Sequence, residues 1–437
     1  MTSRAHIPPS PSRAGMTLVE MLVATALTLL LMGVIAQLFG ILGQGVSDSR
    51  SVIELNDQLR MASTRLRSDL VGLTVAVDPP GRPEADAGYL EIVEGPASEA
   101  DPSSIKLAGD PTALLADCDD LLMFTTRSLS AQFLGRFGGS TASFESNTAE
   151  VAWFCKLSPV QLPAGPTLYT LYRRQLLVSP YVGAGGFVAG SNGIAFGGWA
   201  AFYDLYDLSV HPEGGIAIPN SLGDLSRREN RFMHALSGAF PYSPVIPSAA
   251  GSANGEILAG NRQGEDVVLS NVLSFDVRVF DPLAPINVAD SIAASPGDPG
   301  YTNGAASGTF GCYADLGWAG TGPFAFGSVF PPSGSGFQTT GIRVASPPAN
   351  LAVPRTYDTW STFYESNGVD EDGDGTIDEG VNGLDDDGNG LVDDAAEQET
   401  SPPYPVALRG IEIRIRCYEP SSRQVRQVTV RHTFVPH

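Results

Sequence analysis

Lysine is almost missing from this chain. Only Lys106 and Lys156 occur; the rest of the 26 basic residues are arginines, set against 48 acids, for a net charge of −22. A surface that acidic repels a phosphate backbone, so no nucleic acid is expected as a partner. Cysteine is also sparse. Cys118, Cys155, Cys312 and Cys417 show no CxxC spacing, which argues against a zinc site. If the domain is exported, the even count permits two disulfides in any of three connectivities; four separate thiols are the other reading. The histidines His6, His211, His234, His432 and His437 are scattered and form no HExxH. No GxSxG occurs, and neither lysine follows a glycine-rich phosphate loop. His432 falls on a strand and reads as structural. With no catalytic constellation, the chain is expected not to be an enzyme.

Charge is missing in one place above all. After Glu20, no charged residue appears until beyond Val46, and residues 16–46 are overwhelmingly apolar. About 20 such residues suffice to cross a bilayer. Glu20 sits near the start of the span, where a carboxylate is expensive and calls for a named partner. The preceding segment, residues 1–15, is short and polar, with Arg4 and Arg13 and no acid. Positive charge ahead of an apolar span keeps that end in the cytoplasm. A secretory signal would place its small residues after the apolar region; here Ala14 and Gly15 come before it.

Gly15-Met16-Thr17-Leu18-Val19-Glu20 resembles the prepilin cleavage and methylation motif of type IV pilins and type II secretion pseudopilins. The resemblance implies cutting between Gly15 and Met16 by a prepilin peptidase, then N-methylation of the new amino terminus at Met16. Glu20 then stands at the fifth mature position, where the family carries its glutamate. The charges themselves support this reading. Cleavage creates an ammonium at the membrane, and Glu20 can neutralise its own or a neighbour's, lowering the desolvation cost of both. A pair formed between subunits would favour one axial register, which makes Glu20 an assembly determinant.

Beyond the span the helix is expected to continue as an amphipathic rod over 47–78. Val52, Leu55, Leu59, Ala62, Leu66, Leu70 and Leu73 recur at steps of three and four. Pro79-Pro80 is the expected stop. About 60 residues at 1.5 Å each make a rod near 90 Å. From residue 79 the texture changes to short strands: Leu121–Thr125, Val151–Cys155, Thr167–Val178 and Asn271–Asp281. In the last of these, Leu273, Phe275, Val277 and Val279 face one way and Ser274, Asp276 and Arg278 the other, as in a half-buried strand. Ile411, Ile413 and Ile415, then Val428, Val430 and Phe434, predict a closing hairpin around Glu419-Pro420-Ser421-Ser422. A short helix is expected within 223–236. The fold class is therefore α+β: a long N-terminal helix, transmembrane in its first half, packed on an antiparallel β domain built from 79–282 and 405–437.

Tyr172-Arg173-Arg174, the strand around Phe275 and the closing pair resemble the J-type minor pseudopilins and the W-type minor pilins. That resemblance implies a pilin-like domain, but this chain is much longer, mostly through residues 283–404. Residues 283–366 form a Gly/Ser/Pro-rich insertion, of which 283–350 reads as a long surface loop. Residues 367–394 hold two copies of one pattern, Asn-Gly-Val-Asp-Glu-Asp-Gly-Asp-Gly-Thr-Ile-Asp at 367–378 and Asn-Gly-Leu-Asp-Asp-Asp-Gly-Asn-Gly-Leu-Val-Asp at 382–393.

These copies resemble the Ca²⁺ loops of EF-hand, dockerin and thrombospondin type 3 repeats. An oxygen at every second position lets a tight loop converge on one ion, and Gly375 and Gly390 permit the turn. Asp370, Asp372, Asp374 and Asp378, with the carbonyl of Thr376, would hold the first ion. Asp385, Asp387, Asn389 and Asp393, with the carbonyl of Leu391, would hold the second. Val381 and Ala396 replace the usual bidentate glutamate, so affinity in the extracellular range of about 10⁻⁴ to 10⁻³ M is expected. A solvated acidic linker is the competing reading.

Together these features imply a minor pseudopilin or minor pilin anchored once in the bacterial inner membrane, with its C-terminal domain periplasmic. Its expected partners are prepilin peptidase, other pilin-like subunits, the inner-membrane assembly platform and membrane lipid. The alternative is a membrane-tethered exported binding protein or enzyme that uses a prepilin-type anchor.

Overall fold

One helix dominates the computed structural model. The structure describes residues 17–78, 85–95, 117–138, 143–163, 166–181, 194–236, 244–245, 254–289, 292–298, 301, 309–316, 318, 355–359 and 408–435. Helix α1 spans Leu18–Val71, 54 residues without a break, or about 81 Å. It stops at Gly72, short of the expected 78. Thr74 instead turns to the sheet, where its N–H donates to the carbonyl of Thr125 at 3.1 Å. Val75 and Val77 continue as buried, non-helical backbone. The apolar stripe kept its spacing into Leu73, but the backbone hydrogen bonds had already passed to the sheet.

The remaining elements form an antiparallel sheet and its cover. Strand β1 is Leu90–Glu94, β2 Leu121–Arg127, β3 Phe133–Arg136, β4 Ser143–Ser146, β5 Thr148–Leu157 and β6 Tyr169–Leu177. Next come β7 Ile194–Ala195, helix α2 Trp199–Leu205, β8 Val210–Glu213 and β9 Ile216–Pro219. The last six strands are β10 Val267–Ala289, β11 Ile292–Ala294, β12 Thr309–Ala314, β13 Arg355–Asp358, β14 Gly410–Glu419 and β15 Gln424–Thr433. The main sheet runs β13-β1-β2-β5-β6-β10-β14-β15, with β11 and β12 joined to β10. This is the α+β architecture expected from the sequence, down to the closing hairpin, which pairs Gly410 with Thr433 through Glu419 with Gln424.

Both faces of the sheet are covered. Leu55, Leu59, Ala62, Leu66 and Leu70 from the lower half of α1 are buried in the main apolar cluster. Adjacent residues on β6 show the two sides. Arg173 reaches Asp69 on α1, while Arg174 lies 3.8 Å from Asp207, just after α2, and stacks over the Tyr203 ring at 4.9 Å.

Three expectations are corrected here. Residues 223–236 hold two single 3₁₀ turns, Asp224–Ser226 and Arg228–Asn230, instead of an α-helix. Segment 283–350, expected as a long surface loop, contributes among its described residues the end of β10, then β11 and β12; β13 follows it. Proline and glycine masked the strand signal, because a register shift between Asp281 and Pro285 absorbs the missing N–H groups. The strand 271–281 is not half-exposed: Ser274, Asp276 and Arg278 are as buried as Phe275 and Val277. A register shift between Val272 and Ser274 also turns Leu273 away from Phe275. Leu273 packs with Leu168 and Tyr418 in a separate small cluster.

Candidate functional site: the uncovered N-terminal helix

The upper half of α1 has apolar side chains, and among the described residues none packs over them. Its most apolar 18-residue window has a mean hydropathy of 2.3 and 0% of it is buried. Leu18, Leu29, Met32, Phe39 and Val46 are all exposed. The lower half buries its stripe against the sheet, so one continuous helix has two solvents. Burying one such Leu or Phe is worth about 1.5–3 kcal/mol, so the bare half is stable only in lipid or against other apolar helices.

At its start the helix is closed by a capping box. The Glu20 N–H donates to Thr17 Oγ1 at 3.2 Å, and Glu20 Oε2 accepts from the Thr17 N–H at 2.8 Å and hydroxyl at 2.9 Å. Two of the four orphan N–H groups of the first turn are thereby satisfied. The Thr-x-x-Glu spacing is itself a sequence signal for a helix start, and it complements the positive helix terminus with a carboxylate. It gives Glu20 a local role in addition to the expected one of answering the Met16 ammonium. Gly15 and Met16 lie outside the described residues.

The helix is locked to the domain through Asp69. Its carboxylate accepts Arg173 Nε at 2.6 Å, Arg173 Nη2 at 2.8 Å and the Trp153 indole N–H at 3.1 Å. The Asp69 carbonyl accepts the Thr126 hydroxyl at 2.7 Å. Arg67 donates to the carbonyl of Thr429 and Arg65 to Gln175 Oε1. Helix, β2, β5, β6 and β15 are joined within residues 65–69 of the helix.

The other expected sites divide. The calcium-loop residues Asp370, Asp372, Asp374, Thr376, Asp378, Asp385, Asp387, Asn389, Leu391 and Asp393 lie outside the described residues. All four cysteines are free thiols. Burial, with the neighbouring Cys155 adding to it, pushes the Cys118 thiol well above its ordinary range. Burial holds Cys417 at about 12, with Cys118 adding to the effect, and Cys312 also at about 12. Cys312 stands apart on β12, with its thiol directed at the carbonyl of Ala284. His432 pairs with Ile411 across the hairpin and packs edge-on to Phe434. One of the two lysines, Lys156, is buried against Glu256 at 2.6 Å.

Residues 10–36 match the family model of the prokaryotic N-terminal methylation motif. No curated protein and no solved structure matches the chain. The chain is thus of the class that carries a prepilin-type N terminus on a helix able to anchor it once in a membrane. The motif is that of type IV pilin-like proteins, and the match runs from residue 10 into the bare part of the helix, as far as residue 36.

Proposed function

We propose that this protein is a minor pseudopilin or minor pilin, a structural subunit of a type II secretion pseudopilus or type IV pilus-like filament. Prepilin peptidase cuts it between Gly15 and Met16 at the inner membrane, and Met16 is then N-methylated. The assembly platform and other pilin-like subunits are its partners, and its domain stands in the periplasm. It has no catalytic role. Calcium at the tandem loops 367–394 orders the far end of the domain. One observation carries this reading: the methylation motif over 10–36 opens a helix whose apolar upper half is uncovered while its lower half is packed. A large domain with long insertions fits a tip or initiation position better than the shaft, where lateral packing is tight.

Glu20→Ala tests the assembly role. The variant is expected to be cleaved normally, because Gly15 and Met16 remain, yet to crosslink to pilin-like partners at least tenfold less than the wild type. Normal crosslinking would defeat the charge-pair account. Normal processing with no pilin-like partner recovered from the wild type would favour a tethered exported binding protein instead.

A further inference from the structure

The long strand β10 changes partners partway along one edge. β6 pairs with it over Val267–Val272, and β12 takes over from Val279. In the gap the Phe275 N–H donates to the carbonyl of Asp117 at 2.7 Å, and the Val277 N–H to the Asp120 carboxylate at 2.6 Å. Segment 117–120, which carries three acids in four residues, is therefore held against the interior of the sheet.

Carboxylates from distant parts of the chain meet there. Ligand atoms of Glu94, Asp117 and Asp315 lie within 4.8 Å of one another, as do those of Asp117, Asp120 and Asp276, and all five residues are buried. Most of these groups have partners. Asp120 accepts from the N–H groups of Gly95 and Val277, and Asp276 from Arg278 Nε. Asp315 lies 3.3 Å from the same guanidinium, and Glu94 Oε2 accepts the Leu316 N–H at 3.4 Å. Asp117 differs. Both of its carboxylate oxygens are buried with no hydrogen-bond partner among the described residues. Arg278 is already divided among Asp276, Asp298 and Asp315. Burial, then repulsion from Asp120, Glu94, Asp276 and Asp315, pushes the Asp117 carboxyl well above the usual range.

An uncompensated buried charge costs several kcal/mol, so this concentration of acids calls for a counter-charge. We propose that Asp117, together with Glu94 and Asp315, holds a divalent cation, and that the ion is Ca²⁺. The donor set is all oxygen, with no thiol or imidazole in either triad, which selects a hard cation over zinc. Oxygens at 2.3–2.6 Å from Ca²⁺ stand at most about 5 Å apart across the ion, which accommodates the observed spread. Waters would complete the six to eight ligands. Such an ion would staple the end of β1, the 117–120 segment and the residue after β12, joining parts of the chain more than 200 residues apart. It is independent of the tandem loops and of the assembly reading.

The test uses the full chain in detergent, with Asp372→Ala and Asp387→Ala to silence the loops. After chelation and dialysis against ⁴⁵Ca²⁺, this background is expected to bind one ion per chain. Saturating calcium, at about 100 times Kd, is expected to raise its Tm by on the order of 5 °C. Adding Asp117→Asn should abolish both the bound ion and the shift, and Glu94→Gln should weaken binding at least tenfold. The background binding no calcium would overturn the proposal, and that measurement disturbs none of the buried carboxylates. Retention of the ion and the shift in the Asp117→Asn protein would overturn it equally, leaving Asp117 as a protonated core residue.

Discussion

Replacing Asp69 by alanine tests how the helix is held to the domain. The side chain is 2% exposed, and its partner Arg173 8%. Two charge-assisted bonds to Arg173 and one from Trp153 are lost together. Bonds of this kind contribute about 1.5–3 kcal/mol each, though members of one network do not add. The larger effect is on what remains: a guanidinium at the helix–sheet interface without its carboxylate. Breaking a buried pair from one side costs about 3–5 kcal/mol, so a loss of about 4 kcal/mol is expected from a total of about 5–15. For a domain of this size that is a Tm drop on the order of 10 °C. The assay is urea and thermal unfolding of the full chain in detergent, followed by tryptophan emission, to which Trp153 contributes directly. Arg173→Met removes the charge from the other side. The Asp69→Ala/Arg173→Met double variant should recover at least 2 kcal/mol relative to additivity. A single-variant loss below about 1 kcal/mol, or an additive cycle, would refute the claim that this pair locks the helix.

Leu66 is fully buried one turn above Asp69. Leu66→Ala should cost about 2–5 kcal/mol in the same unfolding assay, while Met61→Ala, on the exposed side of the helix, should cost less than about 0.5. Glu91 is buried with Arg231 at 2.9 Å and His234 at 2.8 Å. Burial opposes its ionisation, but His234 and Arg231 outweigh that and hold its carboxyl below the ordinary value of 4.5. A lowered folded pKa contributes stability that is present above the unfolded value and lost as pH falls through the folded one. The Tm gap between wild type and Glu91→Gln should therefore be largest above about pH 5 and shrink steadily below pH 4.5; a gap constant across that range would count against it. Calcium removal should lower the melting temperature of the wild type, and Asp372→Ala with Asp387→Ala should reduce bound calcium by two ions per chain. No change in stoichiometry would leave the repeat as an acidic linker.

The helix, the strands and the final hairpin were legible because their signals are local. A charge-free run, a 3.6-residue stripe and the Ile411/Ile413/Ile415 alternation each report on a neighbour's face without regard to distant chain. What was not legible is pairing at long range. Glu412 and Arg414 alternate with isoleucines as an exposed face would, yet Glu412 is buried and Arg414 bonds it at 2.7 Å. Asp276 and Arg278 follow the same rule on the neighbouring strand. Alternation gives a strand's two faces and is silent on what covers the second. The capping box and the acids at 117–120 did have local signals. Thr17 is three residues before Glu20, and three acids precede the wholly apolar start of β2. The first was hidden because the same glutamate already had a role in the cleavage motif. The second was hidden because its meaning depends on Glu94 and Asp315 arriving from elsewhere.

Continuity of α1 gives the two ends of the helix a fixed relation. From Glu20 to Asp69 the chain advances 49 residues without proline, or about 74 Å at 1.5 Å each. Glu20 sits where axial register would be chosen in an assembly, and Asp69 sits where the domain is gripped. If the subunit is placed by a charge at one end, the domain's height is set by a rigid rod and a buried ion pair at the other. A loosened grip at Asp69 would leave cleavage and membrane insertion untouched, because the cleavage motif and the apolar span both lie far from Asp69 along the chain. It would scatter the position of the domain relative to that helix. The Asp69→Ala protein should therefore be processed like the wild type yet give more diffuse crosslinks from the domain to its neighbours. Glu20→Ala should instead lower the yield of those crosslinks at least tenfold. Equal loss in both variants would mean that register and grip are not separable steps.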